Sequence, residues 1–227
     1  MTFDLLDTGA GDRTVLVLHG GAGPRGVTSI VEHFAPRARV LAPTHPGWSG
    51  TPRPDWCTGV DDLALAYLEL LEDEDLTDVT VVASSFGGWV AAELAVRDRG
   101  RRLGKLVLLD AIGPEVDGVP VRMPQPPAGA PQPPPGAPGP NPADLEALRT
   151  YAGPGLADPK LLRRLARVRI PALLIWGEDD TVVPPAFGKA YAAAFADARF
   201  EVVPGAGHMP ALQAPDATFD LIDVFLE

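Results

Sequence analysis

The stretch VTVVASSFGGWVAA, residues 79–92, predicts a strand, a sharp turn and a helix, with a hydroxyl group at the turn. An apolar β-branched run ends in two serines, two glycines follow, and an alanine-rich stretch comes next. Because the strand and the helix nearly touch, the apex residue is strained, and the residues two before and two after it must be small. Ser85 meets this condition through Ala83 and Gly87. Ser84 does not, since larger residues stand at both places, so Ser85 is the candidate nucleophile.

Bulk composition favours one globular domain over residues 1–227 and argues against several classes of partner. The chain has 227 residues, 46% of them hydrophobic, which is enough for a full core. With a net charge of −11 it shows no basic face for nucleic acid, and no apolar run approaches the ~18 residues that span a bilayer. The N-terminus lacks the pattern of a signal peptide, and the single cysteine, Cys57, cannot form an intramolecular disulfide. We therefore expect a cytoplasmic protein with no nucleic-acid or membrane partner.

Apolar runs of strand length alternate with helical stretches along the chain. The runs are residues 14–18, 39–42, 79–83, 105–109, 172–176 and 199–203. Continuous apolar runs are typical of strands buried on both faces, so the alternation predicts an α/β fold with a mostly parallel central sheet and helices on both faces. Ligands bind such sheets at the carboxyl ends of the strands. Polar side chains that follow the strands are therefore expected at one edge, namely His19, Ser85, Asp110, Asp180 and His208.

Residues 113–158 form a short proline-rich insertion. Twelve of the 26 prolines lie between Pro114 and Pro142. Because proline lacks a backbone N–H and cannot complete a strand ladder, we expect this stretch to be extended and partly mobile. One helix is predicted within it over residues 144–151, with Asn141 as N-cap and an apolar stripe of Leu145, Leu148 and Ala152.

Five motifs in a fixed order are much more specific than the serine motif alone, which also occurs in ordinary loops where a serine only caps a helix. They are His19-Gly20-Gly21, Pro46-Gly47-Trp48-Ser49-Gly50, Ala83-Ser84-Ser85-Phe86-Gly87, Gly177-Glu178-Asp179-Asp180 and Gly205-Ala206-Gly207-His208. In these motifs, and in the chain order nucleophile, acid, histidine, the sequence resembles the α/β-hydrolases from residue 14 to its C-terminus. The resemblance implies an α/β-hydrolase fold, with the proline-rich insertion at the position of the family's cap domain.

The roles in a serine triad follow from chemistry and from this resemblance. A serine hydroxyl is a weak nucleophile at neutral pH, so Ser85 needs a base, and His208 is the candidate. The histidine needs a carboxylate to fix its tautomer and to stabilise the imidazolium. Asp180 matches the family position of that acid. Asp110 is an alternative, because some members carry the acid after the strand that follows the nucleophile helix. Activity is expected to fall as His208 protonates, near pH ~6.5 for an ordinary histidine.

The tetrahedral oxyanion of such a reaction needs N–H donors that are already in place. Phe86, directly after the nucleophile, offers one donor at the helix N-terminus. The resemblance implies that the second comes from Gly21 or Ala22. Ala22, Trp48 and Met209 are expected to line the acyl pocket, and plain core packing is an equally good interpretation of Trp48.

The two histidines of the early motifs are not expected to bind metal. The spacing of His19 and His45 matches no metal motif, and His19 is expected to brace its loop. We expect neither a metal ion nor a cofactor.

These residues favour a hydrolase that cleaves an ester, thioester or lactone through an acyl-Ser85 intermediate, with a small-molecule or carrier-bound acyl substrate. Carbon–carbon bond hydrolysis with the same triad is an alternative. A non-hydrolytic cyclase, lyase or receptor is another, because fold does not fix function. Haloalkane and epoxide chemistry is disfavoured, since those relatives use an aspartate nucleophile. The sequence does not indicate the natural substrate, the acyl length or the oligomeric state.

Overall fold

The structure, a computed structural model, describes residues 3–98, 101–123 and 141–227. The strands in these residues are β1 Asp4–Thr8, β2 Thr14–Leu18, β3 Arg39–Thr44, β4 Val79–Ser84, β5 Leu103–Leu109, β6 Gly113–Pro114, β7 Ala157–Asp158, β8 Ala172–Gly177 and β9 Ala198–Val203. The α-helices are α1 Thr28–Phe34, α2 Val60–Asp73, α3 Phe86–Asp98, α4 Pro142–Ala152, α5 Leu161–Leu165, α6 Pro185–Ala192, α7 Pro210–Gln213 and α8 Pro215–Leu226. A short 3-10 helix covers Pro24–Val27.

Seven strands form one sheet in the order β1-β3-β2-β4-β5-β8-β9. The edge strand β1 runs antiparallel to β3, and the other neighbours in the sheet are parallel. The expected mostly parallel sheet is therefore confirmed. Because parallel strands end at the same edge, the loops after β2, β4, β5, β8 and β9 lie side by side there.

Alternate side chains of each central strand enter two separate cores, one on each face of the sheet. On β2, Leu16 and Leu18 belong to the core beneath α2, α3, α5 and α6, whereas Val15 and Val17 belong to the core beneath α1, α7 and α8. The strands are thus buried on both sides, which is why they appear as unbroken apolar runs. No helix within the described residues is long and apolar enough to cross a bilayer.

The insertion contributes the two-stranded β6–β7 pair and the helix α4. The predicted N-cap is confirmed, since the N–H of Ala143 donates to Oδ1 of Asn141 over 3.1 Å. The predicted apolar stripe is partly wrong, because Leu145 is only half-buried while Asp144 and Tyr151 are buried. The expectation of an extended, partly mobile stretch falls largely on residues 124–140, which lie outside the described residues.

Candidate active site

Ser85 occupies the sharp turn between β4 and α3, with a φ of 52°. Its N–H donates to the carbonyl of Leu109 over 2.9 Å, and its own carbonyl accepts from the N–H groups of Gly88 and Ile112. A Cβ atom at Gly87 would lie 2.4 Å from the carbonyl oxygen of Leu18, so only glycine permits this approach of α3 to β2. The strained backbone of Ser85 is therefore held by hydrogen bonds through both its N–H and its carbonyl group.

The side chains of Ser85, His208 and Asp180 form one continuous hydrogen-bonded chain. Nε2 of His208 accepts from the Ser85 hydroxyl over 2.8 Å, and Nδ1–H donates to Oδ2 of Asp180 over 2.8 Å. Oδ1 of Asp180 accepts from the N–H groups of Val182 at 2.7 Å and Val183 at 3.1 Å. These contacts fix the imidazole in the tautomer that can take a proton from Ser85.

The three hydrogen-bonded side chains differ in their exposure to solvent. The Asp180 side chain is fully buried, and the His208 side chain is 21% exposed. Burial acts to raise the pKa of Asp180, but the hydrogen bond and electrostatic attraction of His208, together with the N–H of Val182, outweigh it and lower that pKa. Asp180 is therefore the ionised partner that stabilises a protonated His208.

The alternative acid, Asp110, lies beside this chain but does not hydrogen-bond to His208. It follows β5, is fully buried, and its Oδ1 accepts from the N–H of Gly177 over 3.0 Å. Possible metal-ligand atoms of Asp110, Asp180 and His208 lie within 4.8 Å of one another, a spacing that by itself would allow a metal site. However, Asp180 and His208 are hydrogen-bonded to each other, and His208 is also hydrogen-bonded to Ser85. The arrangement therefore suits proton transfer from a hydroxyl.

The loop that carries His208 is tied directly to the loop that carries Asp180. A Cβ atom at Gly177 would lie 2.1 Å from the carbonyl oxygen of Gly207, so β8 can end here only with glycine. The N–H of Gly207 donates to Oε1 of Gln213 over 2.8 Å. Sequence reasoning missed Gln213, and only its place four residues after Met209 at the end of α7 could have pointed to it.

The loop after β2 packs directly against the nucleophile. A Cβ atom at Gly20 would lie 2.9 Å from Cβ of Ser85. Within the described residues, neither the N–H of Gly21 nor that of Phe86 has a hydrogen-bond acceptor. Both expected oxyanion donors are thus available, and the N–H of Phe86 stands at the N-terminus of α3.

His19 and His45 form a buried layer beneath this loop. The N–H of His45 donates to Nε2 of His19 over 2.9 Å, and Nε2–H of His45 donates to the carbonyl of His19 over 2.9 Å. The hydroxyl of Tyr67 bonds to Nδ1 of His45. Burial lowers the pKa of His19 to about 4, and burial followed by the proximity of His19 lowers the pKa of His45 well below its usual range. Both imidazoles are therefore neutral and join the loop after β2 to the loop after β3.

Trp48 does not line a pocket as expected, because it is fully buried. Its ring stacks against Phe86 and Tyr151, with centroid distances of 5.4 and 5.7 Å. Its Nε1–H donates to the carbonyl of Gly21 over 3.1 Å. The α4 helix brings Tyr151 onto the indole, and Trp48 therefore supports the Gly21 peptide from below.

Ala22 and Met209, two of the residues expected to line the acyl pocket, both lie next to Gly26. A Cβ atom at Gly26 would lie 3.2 Å from Cε of Met209 and 3.8 Å from Cβ of Ala22, so both side chains border the same glycine. Ala22 is exposed and Met209 is half-buried. Leu148 of α4 lies close to the same loop, since its Cδ2 would lie 3.0 Å from a Cβ atom at Gly21. Apolar side chains are thus present on both Ala22 and Leu148 near the loop after β2, and whether they line an acyl pocket stays a prediction.

Comparisons with known proteins identify the family and agree with the fold. The model of the Alpha/beta hydrolase family matches residues 15–221. A 2-hydroxy-6-oxononadienedioate/2-hydroxy-6-oxononatrienedioate hydrolase of Cupriavidus pinatubonensis is 26% identical, over 89% of this chain and 82% of its own length. An esterase of Thermogutta terrifontis superposes with a TM-score of 0.78 at 21% identity, covering 99% of this chain and 92% of the esterase. A meta-cleavage product hydrolase of Pseudomonas fluorescens superposes with a TM-score of 0.73 at 18% identity, covering 98% of this chain and 93% of that hydrolase. These two structural likenesses show the fold alone.

Proposed function

This chain belongs to the alpha/beta hydrolase family, and from that premise we propose that it cleaves an ester, thioester or lactone through an acyl-Ser85 intermediate. The observation that carries the proposal is the unbroken hydrogen-bonded chain from Asp180 through His208 to the Ser85 hydroxyl. A serine that only caps a helix in an ordinary loop needs neither a strained backbone nor an imidazole at 2.8 Å with a carboxylate behind it.

In the first half of the proposed reaction, Oγ of Ser85 attacks the carbonyl carbon of the substrate. Nε2 of His208 takes the hydroxyl proton, and Asp180 stabilises the imidazolium that forms. The N–H groups of Phe86 and Gly21 donate to the oxyanion. As the tetrahedral intermediate collapses, His208 returns the proton to the leaving oxygen or sulfur, and the acyl group stays on Ser85.

In the second half, water replaces the leaving group. Nε2 of His208 takes a proton from that water as it attacks the acyl carbon, and the same two N–H groups hold the second oxyanion. When this intermediate collapses, His208 gives its proton back to Oγ of Ser85. The products are a carboxylic acid and the restored serine, so atoms and protons balance over the cycle.

Apolar side chains near the catalytic loops support an acyl substrate, either a small molecule or one presented by a carrier. Ala22 and Met209 lie next to Gly26, and Leu148 of α4 lies next to Gly21. Apolar walls favour the hydrocarbon part of the substrate and lower the local dielectric around the oxyanion.

Carbon–carbon bond hydrolysis is the second candidate, and the name of the Cupriavidus pinatubonensis relative favours it. The same triad would then act at a ketone carbonyl whose neighbouring carbon becomes the leaving group.

The nucleophile is tested by intact mass after treatment with a fluorophosphonate. Wild type is expected to gain one adduct and Ser85→Ala none. Ser84→Ala is the matched control, because Ser84 is the adjacent serine at the end of β4 and should leave labelling unchanged. A folded wild type that gains no adduct, or a Ser85→Ala variant that still gains one, would refute the proposal.

The substrate class is tested with a panel of acyl esters, acyl thioesters, lactones and a vinylogous diketone. Repeated turnover of an ester, thioester or lactone with no cleavage of the diketone supports the first candidate. The reverse result would establish carbon–carbon hydrolysis instead. A labelled Ser85 with no turnover of any of these substrates would favour a receptor or a non-hydrolytic enzyme.

A further inference from the structure

Asp110 is a buried carboxyl group that the proposed reaction does not use. It stands directly after β5 with a φ of 44° and no solvent exposure. One oxygen, Oδ1, accepts from the N–H of Gly177 over 3.0 Å. The other, Oδ2, is buried and has no hydrogen-bond partner within the described residues. A buried carboxylate oxygen without a donor is costly, so this atom needs an explanation.

The neighbour of this oxygen is another carboxyl group whose oxygens are already supplied with donors. Asp180 accepts from two backbone N–H groups through Oδ1 and from His208 through Oδ2. Among the described residues, the titratable groups close to Asp110 are Asp180 and His208. Of the two carboxyl groups, Asp180 thus has the environment of an anion and Asp110 does not.

Two carboxylates in one buried site repel each other, so one of them takes up a proton. Burial, followed by the interaction with the adjacent Asp180 carboxylate and its charge, raises the pKa of Asp110 well above its usual range. A proton on Oδ2 also converts the unpaired acceptor into a donor, and Asp180 is the anion close by, with ligand atoms of the two residues within 4.8 Å. One proton therefore removes both the repulsion and the unsatisfied atom.

We propose that Asp110 is a protonated carboxylic acid that donates a hydrogen bond to Asp180 and so positions the triad carboxylate. This inference rests on the proposed function, because it gives the bond a task in catalysis. Asp110 is a positioning residue, since it acts through Asp180 and touches neither the substrate nor Ser85. Through Gly177 it also fastens the end of β5 to the end of β8, on whose loop Asp180 lies.

The first test removes the ionisable group and keeps its shape. Asp110→Asn retains an oxygen for the N–H of Gly177 and gains an N–H that can donate to Asp180. Its kcat/KM for an activated ester is expected to stay within about threefold of wild type, because no charge is lost and both hydrogen bonds remain. The acidic limb of its pH–rate profile is expected to keep its midpoint.

An ionised Asp110 would give the opposite result. The Asp110→Asn change would then remove a negative charge beside His208 and make the imidazolium less stable. The acidic limb would move to lower pH by about one unit, and that shift would overturn the inference.

Asp110→Leu is the disruptive counterpart, because leucine can neither accept from Gly177 nor donate to Asp180. Its kcat is expected to fall about tenfold with KM little changed, since a loosened carboxylate misplaces the imidazole. Equal activity of the folded Asp110→Leu variant and wild type would also overturn the positioning role.

Difference infrared spectroscopy of wild type minus Asp110→Asn does not depend on activity. At neutral pH the difference is expected to contain the carbonyl stretch of a protonated carboxylic acid. Absence of this band in a wild type that reacts with fluorophosphonate refutes the inference and leaves the proposed function intact. The band in a wild type that does not react refutes the proposed function and leaves the protonation of Asp110 intact.

Discussion

Two pairs of loops at the same edge of the sheet use histidine in opposite ways. The loops after β8 and β9 carry Asp180 and a partly exposed His208, whose Nδ1–H has a carboxylate partner. The loops after β2 and β3 carry His19 and His45, which are fully buried and, within the described residues, bond only to backbone groups and a tyrosine hydroxyl. Burial and partner, rather than residue type, therefore decide which imidazole can accept a proton.

This difference separates two tasks in the proposed reaction. The His208 region transfers a proton, so it needs an anion and some access to water. The His19–His45 region supports the loop whose N–H groups face the oxyanion, so it needs rigid, neutral partners. Trp48 belongs to the second region, because its indole N–H fixes the carbonyl of Gly21.

The largest expected effect comes from removing the imidazole of the His208 region. His208→Gln should lower kcat/KM for an activated ester by at least about 10⁴-fold, because Ser85 loses its base. The free energy of unfolding should change little, since the side chain is partly exposed. Steady-state kinetics and urea unfolding measure the two quantities.

His45→Phe is the matched control in the His19–His45 region. The hydroxyl of Tyr67 and the carbonyl of His19 lose their partner, and each unsatisfied buried group costs about 1–3 kcal/mol of unfolding free energy. Activity of the folded fraction should fall much less than in His208→Gln. A His45→Phe variant that is as inactive as His208→Gln, or a His208→Gln variant with wild-type activity, would break the distinction between the regions.

The second-largest expected effect is a loss of folding stability in mild acid, caused by the buried histidines His19 and His45. The pKa of His19 is lowered to about 4 in the folded chain, against 6.5 for the ordinary group. The folded state thus binds fewer protons than the unfolded state between these values. The stability that comes from keeping His19 neutral is fully present above pH 6.5 and is lost as pH falls towards 4, by about 3 kcal/mol. His45 acts in the same direction.

Asp110 acts in the opposite direction, because its pKa is raised in the folded state. The measurement is therefore made in the Asp110→Asn background, by urea unfolding at several pH values between 7.5 and about 4.5. His208→Gln in the same background should keep the pH dependence, since both buried histidines remain. A free energy of unfolding that is constant over this range would show that His19 and His45 are not held neutral by burial.

The sequence was most informative where a geometric requirement is local. Ser85 could be chosen over Ser84 because only its neighbours two residues away are small enough for the turn. The mostly parallel sheet follows from the alternation of strands and helices, and the pairing of Asp180 with His208 follows from the family resemblance. Each of these inferences needs only residues close in the chain or a repeated pattern.

Contacts between distant segments could not be predicted in the same way. Trp48 is an aromatic residue of a kind that often lines pockets, but it is buried here because Tyr151 of the distant α4 helix stacks on it. The hydroxyl of Tyr151 also donates to the carbonyl of Pro46 over 3.0 Å. The weak apolar stripe of α4 did not show that Asp144 turns inward, where its Oδ1 accepts from the N–H of Ser49 over 2.9 Å. Such polar side-chain contacts leave no periodic signal.

The smallest expected effect tests whether the His19–His45 region contributes to catalysis by holding the backbone of the loop after β2 in place. Gly20→Ala places a Cβ atom 2.9 Å from Cβ of Ser85, so the nucleophile must shift, and kcat should fall about tenfold. Gly21→Ala is its matched neighbour. The new Cβ meets the flexible side chain of Leu148, with Cδ2 at 3.0 Å and Cγ at 3.9 Å, and the N–H of residue 21 remains. We expect Gly21→Ala to change kcat less than about threefold, measured by ester hydrolysis.

The order of these two variants is informative in itself. If Gly21→Ala lowers kcat more than Gly20→Ala, the loop contributes through the exact position of the residue 21 peptide and little through its contact with Ser85. If both variants keep wild-type kcat, the loop after β2 is not held rigidly, and the neutral His19–His45 layer has no effect on the chemistry. The expected order requires a rigid loop, and a rigid loop is what two buried, uncharged imidazoles beneath it would provide.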